Sequence, residues 1–311
     1  MLTARTPTAN LPRIMRVIAA VTALAIALTA SALGVAPAPR VALQRSESSR
    51  PHCSPTPPTI VSHRPRGKEA RQLWAADMEE GTLADWQVPG HENAGGGEFD
   101  SGSGDAFASR TRSHSGRWGA RLVLRTRRGG TRLFRWLELR AHRDVVVSVW
   151  LEIPRRYRLT ADPATGRFWN VFQFKSRTTS GANDPLWFLN LATPRNRRPR
   201  LQLVWWPRTL EGPRPAERGF QRFTQNVAAV PIGRWFRITA RLRQSSGFDG
   251  VLCVWQGRRL LFDRHGVRTS YRNCSYNAWC ADDEWSVNHY SDGLVPAPSA
   301  IYLDDARIAA R

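Results

Sequence analysis

From residue 73 to its end, the chain is a run of short stretches in which apolar and polar residues alternate. WGARLVLRT, RLFRWLELRA, DVVVSVWLEIP, PLWFLNLAT, RLQLVWWP, RWFRITARLRQ, GVLCVWQG and AIYLDDARI follow one another, with RRGG, SSGFDG and SDG among the turns between them. Alternation of period two places successive side chains on opposite faces of a strand. No segment offers an amphipathic helix of three turns. Many short strands joined by Gly- and Pro-containing turns predict an all-β sandwich or barrel. Neither a Gly-x-Ser-x-Gly elbow nor a Gly-rich phosphate loop is present.

The stretch FWNVFQFKSRT, residues 168–178, carries the most chemistry. Phe168, Phe172 and Phe174 share one parity. Trp169, Gln173, Lys175 and Arg177 share the other, with Val171 between them. One face is apolar; the other offers an amide, an amine and a guanidinium.

The rest of the chain supplies the setting. Residues 1–16 carry Arg5, Arg13 and Arg16 and no acid, and an apolar run follows to residue 36. Ala30-Ser31-Ala32 has the spacing of a signal-peptidase site, so residues 1–32 read as a signal peptide. The rival is an uncleaved anchor reaching residue 36, since Val17 to Ala36 is long enough to span a bilayer. Either way the remainder is exported: secreted, or held at the cell surface. Residues 33–72, rich in Pro, Ser and Arg, read as a disordered linker, leaving 73–311 as one domain. The formal charge is +21, and all of the 46 basic residues except Lys68 and Lys175 are arginine. Such a charge favours anionic partners, although the arginine skew also fits a GC-rich genome. Export opens an oxidising compartment to the four cysteines. Cys274 and Cys280 lie close in a polar loop and are expected to pair, with Cys253 a buried thiol in a strand and Cys53 in the linker. No cysteine or histidine cluster has zinc spacing.

An ordered series of short patterns then resembles a known family. GTLADW, SHSGRWGARLVL, VFQFKS with DPLWFLNL, VPIGRWFRITARLRQSSGFDGVLCVWQG, and WSVNHYSDG with AIYLDDARI resemble the concanavalin A-like jelly rolls of polysaccharide lyases, of the heparin-lyase and alginate-lyase type. The opening and closing segments also resemble carbohydrate-binding jelly-roll modules. The resemblance implies a sandwich of two antiparallel sheets with a concave groove, and β-elimination on an acidic, uronate-containing polysaccharide. Its rival is a binding module or a cell-surface glycan-contacting protein with the same groove and no chemistry. A monomer is expected, with no nucleic-acid partner and no membrane contact beyond the N-terminal segment.

Elimination needs a group to neutralise the uronate carboxylate, a base, and an acid for the departing oxygen. The resemblance assigns Gln173 to the first task. Lys175 stands where some relatives carry His; a protonated lysine suits carboxylate binding better than proton abstraction. Tyr290 is the expected acid or acid–base, assisted by Asn288 or His289. Parity puts Asn288 and Tyr290 on one face and His289 on the other with Trp285, so all three share the groove only if a bulge turns the chain. Trp169, Arg177 and Arg135 complete the expected substrate contacts. A retaining glycosidase would need paired carboxylates, but the Glu-x-Asp-x-x-Glu spacing is absent, and Glu138 and Glu152 stand alone. Catalysis calls for no cofactor. Glu79, Asp304 and Asp305 would meet if the terminal strands are neighbours, and could hold a structural Ca2+; arginine pairing is the simpler alternative.

Overall fold

The computed structural model describes residues 53–87, 95–101, 103–137, 142–160, 168–177, 183–193, 197–206, 221–271 and 283–311. The signal segment, Glu138, Cys274 and Cys280 lie outside them. The compact unit that contains these residues spans Ser49–Arg311. Every regular element among the described residues is a strand.

Two sheets dominate. The front sheet has the order β12 (Gln221–Phe223), β11 (Arg200–Trp205), β10 (Asn183–Ala192), β9 (Trp169–Arg177), β16 (Asp283–Asp292), β6 (Arg128–Trp136) and β3 (Gly96–Ser101). The back sheet has the order β1 (Ile60–Val61), β2 (Ala70–Ala76), β18 (Ser299–Ala310), β7 (Asp144–Glu152), β13 (Phe236–Arg243), β14 (Gly250–Gln256) and β15 (Arg259–Val267). There β5 (Gly119–Leu124) joins β18, and β4 (Gly104–Ser109) joins β5. A short pair, β8 (Arg158–Leu159) with β17 (Leu294–Val295), stands apart. Pairing is antiparallel except for β1 on β2. First and last long strands are neighbours, as Ala76 pairs with Ala306.

The alternation seen in the sequence builds the core. Leu133, Phe172, Phe174, Leu189, Leu203, Trp285 and Val287 point inward from the front sheet. They meet Val145, Val147, Val149, Ile238, Ala240, Leu252, Leu303 and Ile308 of the back sheet, all within one buried cluster. At roughly 1.5–3 kcal/mol per fully buried large side chain, this packing is the main term favouring the fold. The architecture is the expected jelly-roll sandwich.

One expectation is corrected. The presumed linker is part of the fold from Cys53 onward. Cys53 is bonded to Cys253 across 200 residues, so Cys253 is not a free thiol. Trp255 Nε1 donates to Ser54 O at 3.0 Å, and Cys53 packs with Val251, Cys253 and Trp255 on the outer side of the back sheet. Composition misleads here because the segment contributes no core of its own; it borrows the sheet's outer face.

Candidate functional site

The outer face of the front sheet is set by cross-strand register. One row reads Asn190, Asn170, Tyr290, Gly130 from β10 to β6. Phe188, Gln173, Ser286 and Phe134 form the next. Asn288 lies opposite Arg132, which lies opposite Phe99, and Lys175 lies between Pro185 and Glu284. Amide and charged groups thus converge on neighbouring strands.

A bulge decides who joins them. Between β9 and β16 the register moves from Phe172↔Val287 to Asn170↔Tyr290, so Asn288 and His289 together face the single residue Val171. Such a two-for-one step breaks simple alternation. On β9 both Val171 and Phe172 enter the core, after which Trp169 points inward and Asn170 outward. Trp169, expected in the groove, is therefore a core residue, 1% exposed. Its Nε1 donates to His289 Nδ1 at 3.0 Å.

His289 is likewise internal. It keeps the inward parity of Trp285 and Val287 and is fully buried. With Nδ1 accepting from Trp169, the ring proton sits on Nε2 and reaches Ser299 Oγ at 2.9 Å. Burial pushes its pKa down to about 3, so the imidazole is neutral and sealed from substrate. His289 is not a groove base. Arg135 is also on the inward parity, opposite Trp285; it is buried, with its guanidinium 5.4 Å from the Trp74 ring centre.

Of the remaining expected residues, Gln173 and Asn288 touch, and Lys175 and Arg177 follow on the same face further along β9. Gln173 and Asn288 are recessed, at 6% and 0% exposure. Asn288 Nδ2 donates to Asn170 Oδ1 and to Gln173 Oε1 at 3.4 Å. Because Gln173 uses its oxygen to accept, its amide N–H groups remain to meet an incoming anion. Lys175 Nζ lies 3.6 Å from Glu284 Oε1, and Asn183 Nδ2 donates to Glu284 Oε2 at 2.5 Å. Burial lowers the Lys175 pKa, and the Glu284 carboxylate opposes that shift. The Arg177 guanidinium lies over the Trp136 ring at 4.2 Å.

Tyr290 stands at the edge of this cluster, 36% exposed. Its ring meets Phe168 edge-on at 4.8 Å and lies 5.9 Å from the Arg132 guanidinium, which also covers Phe99. A Cβ added at Gly130 would fall 2.6 Å from the Tyr290 ring. The absent side chain at Gly130 is what lets the phenol lie down across β6.

Asn170, Arg132, Asn190 and Glu284 were missed by the sequence reading. Parity alone could have found Arg132, opposite in sense to Leu133, and Glu284, in phase with Asn288 and Tyr290. Nothing local announces Asn170, since the bulge that turns it outward is a property of paired strands. Trp205 and Trp206 divide as two strand neighbours must: Trp205 stacks on Trp187 in the core, while Trp206 meets Phe188 on the outer side.

The three acids considered for calcium do not fit that ion. Glu79 accepts from the backbone N–H groups of Arg117 and Trp118, which lower its pKa. Asp304 Oδ2 accepts from the His114 and Ser115 backbones and Oδ1 from Asp305 N. Asp305 Oδ2 contacts His114 Nδ1 at 2.7 Å. Oxygens already facing N–H donors do not offer the shared oxygen cage that calcium requires.

No protein-family model matches the chain, and no curated protein is similar to it. Solved structures are similar in fold. An endo-β-1,4-glucuronan lyase from the fungus Trichoderma reesei aligns over 78% of this chain and 96% of its own, with 13% identity and a TM-score of 0.53. A marine alginate lyase from Aplysia kurodai aligns over 78% and 100%, with 12% identity and a TM-score of 0.48. An alginate lyase from a Chlorella virus aligns over 66% and 89%, with 10% identity and a TM-score of 0.45. At such identities the first likeness speaks for the fold alone.

Proposed function

We propose that this protein is an exported polysaccharide lyase that cleaves a uronate-containing polymer by β-elimination. The observation that carries the reading is the placing of the Tyr290 phenol on the same sheet face as the recessed Gln173, Asn170 and Asn288 amides, beside Arg132. The uronate carboxylate lies against the Gln173 N–H groups, near Arg132. Hydrogen bonding there stabilises the negative charge that grows when the proton on the adjacent carbon is removed. Tyr290 is the proton carrier. As phenolate it takes that proton; the carbon's electron pair forms the new double bond and expels the glycosidic oxygen, to which Tyr290 returns the proton. Lys175, held by Glu284, binds a carboxylate of the same polymer rather than serving as base.

Export is supported by the apolar N-terminal run and by the Cys53–Cys253 bond, which suits an oxidising compartment. The second reading, a binding module, is favoured by the Lys175–Glu284 ion pair at a position where some relatives carry His.

The test is to incubate the purified chain with alginate, glucuronan, heparin-type and pectin-type polymers and follow the far-ultraviolet absorbance of the unsaturated uronate product. Absorbance rising on one polymer and lost on Gln173→Ala substitution is the expected result. A flat trace on every polymer, with one of them retained by the protein in a salt-sensitive way, replaces the lyase with the binding module.

A further inference from the structure

The outer face of the back sheet holds a cleft of about 640 Å3, on the far side of the core from the amide cluster. Its floor is β7. Ser148 and Trp150 project from that strand, and Arg307 of β18 and Arg237 of β13 flank them in register with Ser148 and Trp150 respectively. Ser148 Oγ and Thr239 Oγ1 lie 3.3 Å apart on the floor. His114 stacks on the Trp150 indole at 3.8 Å. The opposite wall is the segment Thr56–Ile60, fastened next to the disulfide, and Arg258 completes the lining.

Charge in this cleft is out of balance. Its carboxylate, Asp305, is already engaged by His114, with Arg307 3.8 Å away. Arg237 is half-buried, and its buried Nε has no hydrogen-bond partner. Burial, and then the nearby Arg307 guanidinium, press the Arg237 pKa below its usual value. A planar oxyanion accepted between the two guanidiniums offsets their repulsion. The volume falls within the ~300–1,000 Å3 of ordinary small-molecule sites, so there is room for more than a lone oxyanion. The Ser148 and Thr239 hydroxyls and the aromatic wall match the hydroxyls and apolar flank of a sugar ring.

We propose that this cleft is a second, non-catalytic binding site for a short carboxylate-bearing oligosaccharide, with Arg237 and Arg307 clasping the carboxylate and the Thr56–Ile60 segment serving as its wall. It lies through the core from the front face and does not depend on chemistry there.

The test is calorimetric titration of the full chain with a glucuronate tetrasaccharide and, separately, with inorganic sulfate. The unmutated chain is expected to show a binding event that weakens at least about tenfold in R237Q/R307Q, the scale of losing one charge-assisted hydrogen bond. The thermal midpoint and any lyase turnover are expected to stay as they were. On the unmutated protein, the tetrasaccharide should shield Arg237 and Arg307 from phenylglyoxal, read by peptide mapping. An isotherm indifferent to both substitutions, with no shielding, overturns the site. Sulfate binding as tightly as the tetrasaccharide, and shielding equally, overturns the saccharide as its ligand. Neither result bears on elimination, which is read by ultraviolet absorbance.

Discussion

The two outer faces of the sandwich present the same backbone to solvent and use it in opposite ways. On the front sheet the outward positions carry Asn170, Gln173, Asn190 and Asn288, all recessed, with side-chain oxygens of Asn190 and Asn288 that no described group satisfies. On the back sheet the outward positions are partly roofed by the chain's own N-terminal segment, bonded through Cys53 and packed at Ile60 against Ala70, Val146 and Ala309. Buried polar groups without partners cost stability. On the front face that cost falls on amide oxygens, whereas on the back face it falls on guanidinium groups such as that of Arg237. The back face also uses its outward apolar positions to hold the strap.

The sharpest way to break this contrast is Tyr290→Phe. It keeps the ring over Gly130 and removes only the hydroxyl proposed to carry the proton, so turnover should fall by roughly 10²–10⁴-fold with polymer binding retained. A variant that keeps most of its activity would move the chemistry elsewhere on the front face. Next is Cys53→Ser. Loss of so long a covalent loop should cost about 2–5 kcal/mol in denaturant unfolding, and it should weaken tetrasaccharide binding on the back face while front-face turnover per folded molecule holds.

A smaller effect comes from His289, which joins the two sheets through Trp169 and Ser299. Its folded pKa, about 3, lies below the unfolded value near 6.5. The unfolded chain therefore takes up the extra proton first. Stability from this group is fully present above about pH 6.5 and is lost as pH falls toward 3, amounting to about 2 kcal/mol at pH 5. In His289→Gln this component of the pH dependence should vanish, and chemical denaturation at pH 5 and 7.5 would show it. The mildest change is Gly130→Ala. The added methyl displaces the Tyr290 ring, and kcat should drop about tenfold with little change in melting temperature, consistent with the sensitivity of catalysis to small misplacements.

Strand parity was legible wherever pairing is regular. It put Gln173, Lys175 and Arg177 on one face, paired Asn288 with Tyr290, and set His289 apart with Trp285. It failed for Trp169 because the bulge at Val171 belongs to the contact between strands. Arg135 was misplaced for a different reason. Its inward parity is plain beside Leu133, but the expected substrate role outweighed it. The Cys53–Cys253 bond was not legible because Cys53 sits in a Pro- and Ser-rich stretch that composition marks as linker, 200 residues from its partner. The amide cluster was half visible: alternation gives each strand two faces, and only register decides which side chains from different strands touch.

The Cys53–Cys253 bond also imposes an order of assembly. Cys53 emerges 200 residues ahead of its partner, and the strand that bears that partner is made only after most of the sandwich. The first part of this unit to be synthesised thus waits for β14 before it can be fastened. The wall at Thr56–Ile60 is then completed only once β14 is in place, and a chain kept reduced would hold its front face without a covalently fastened wall on the back one.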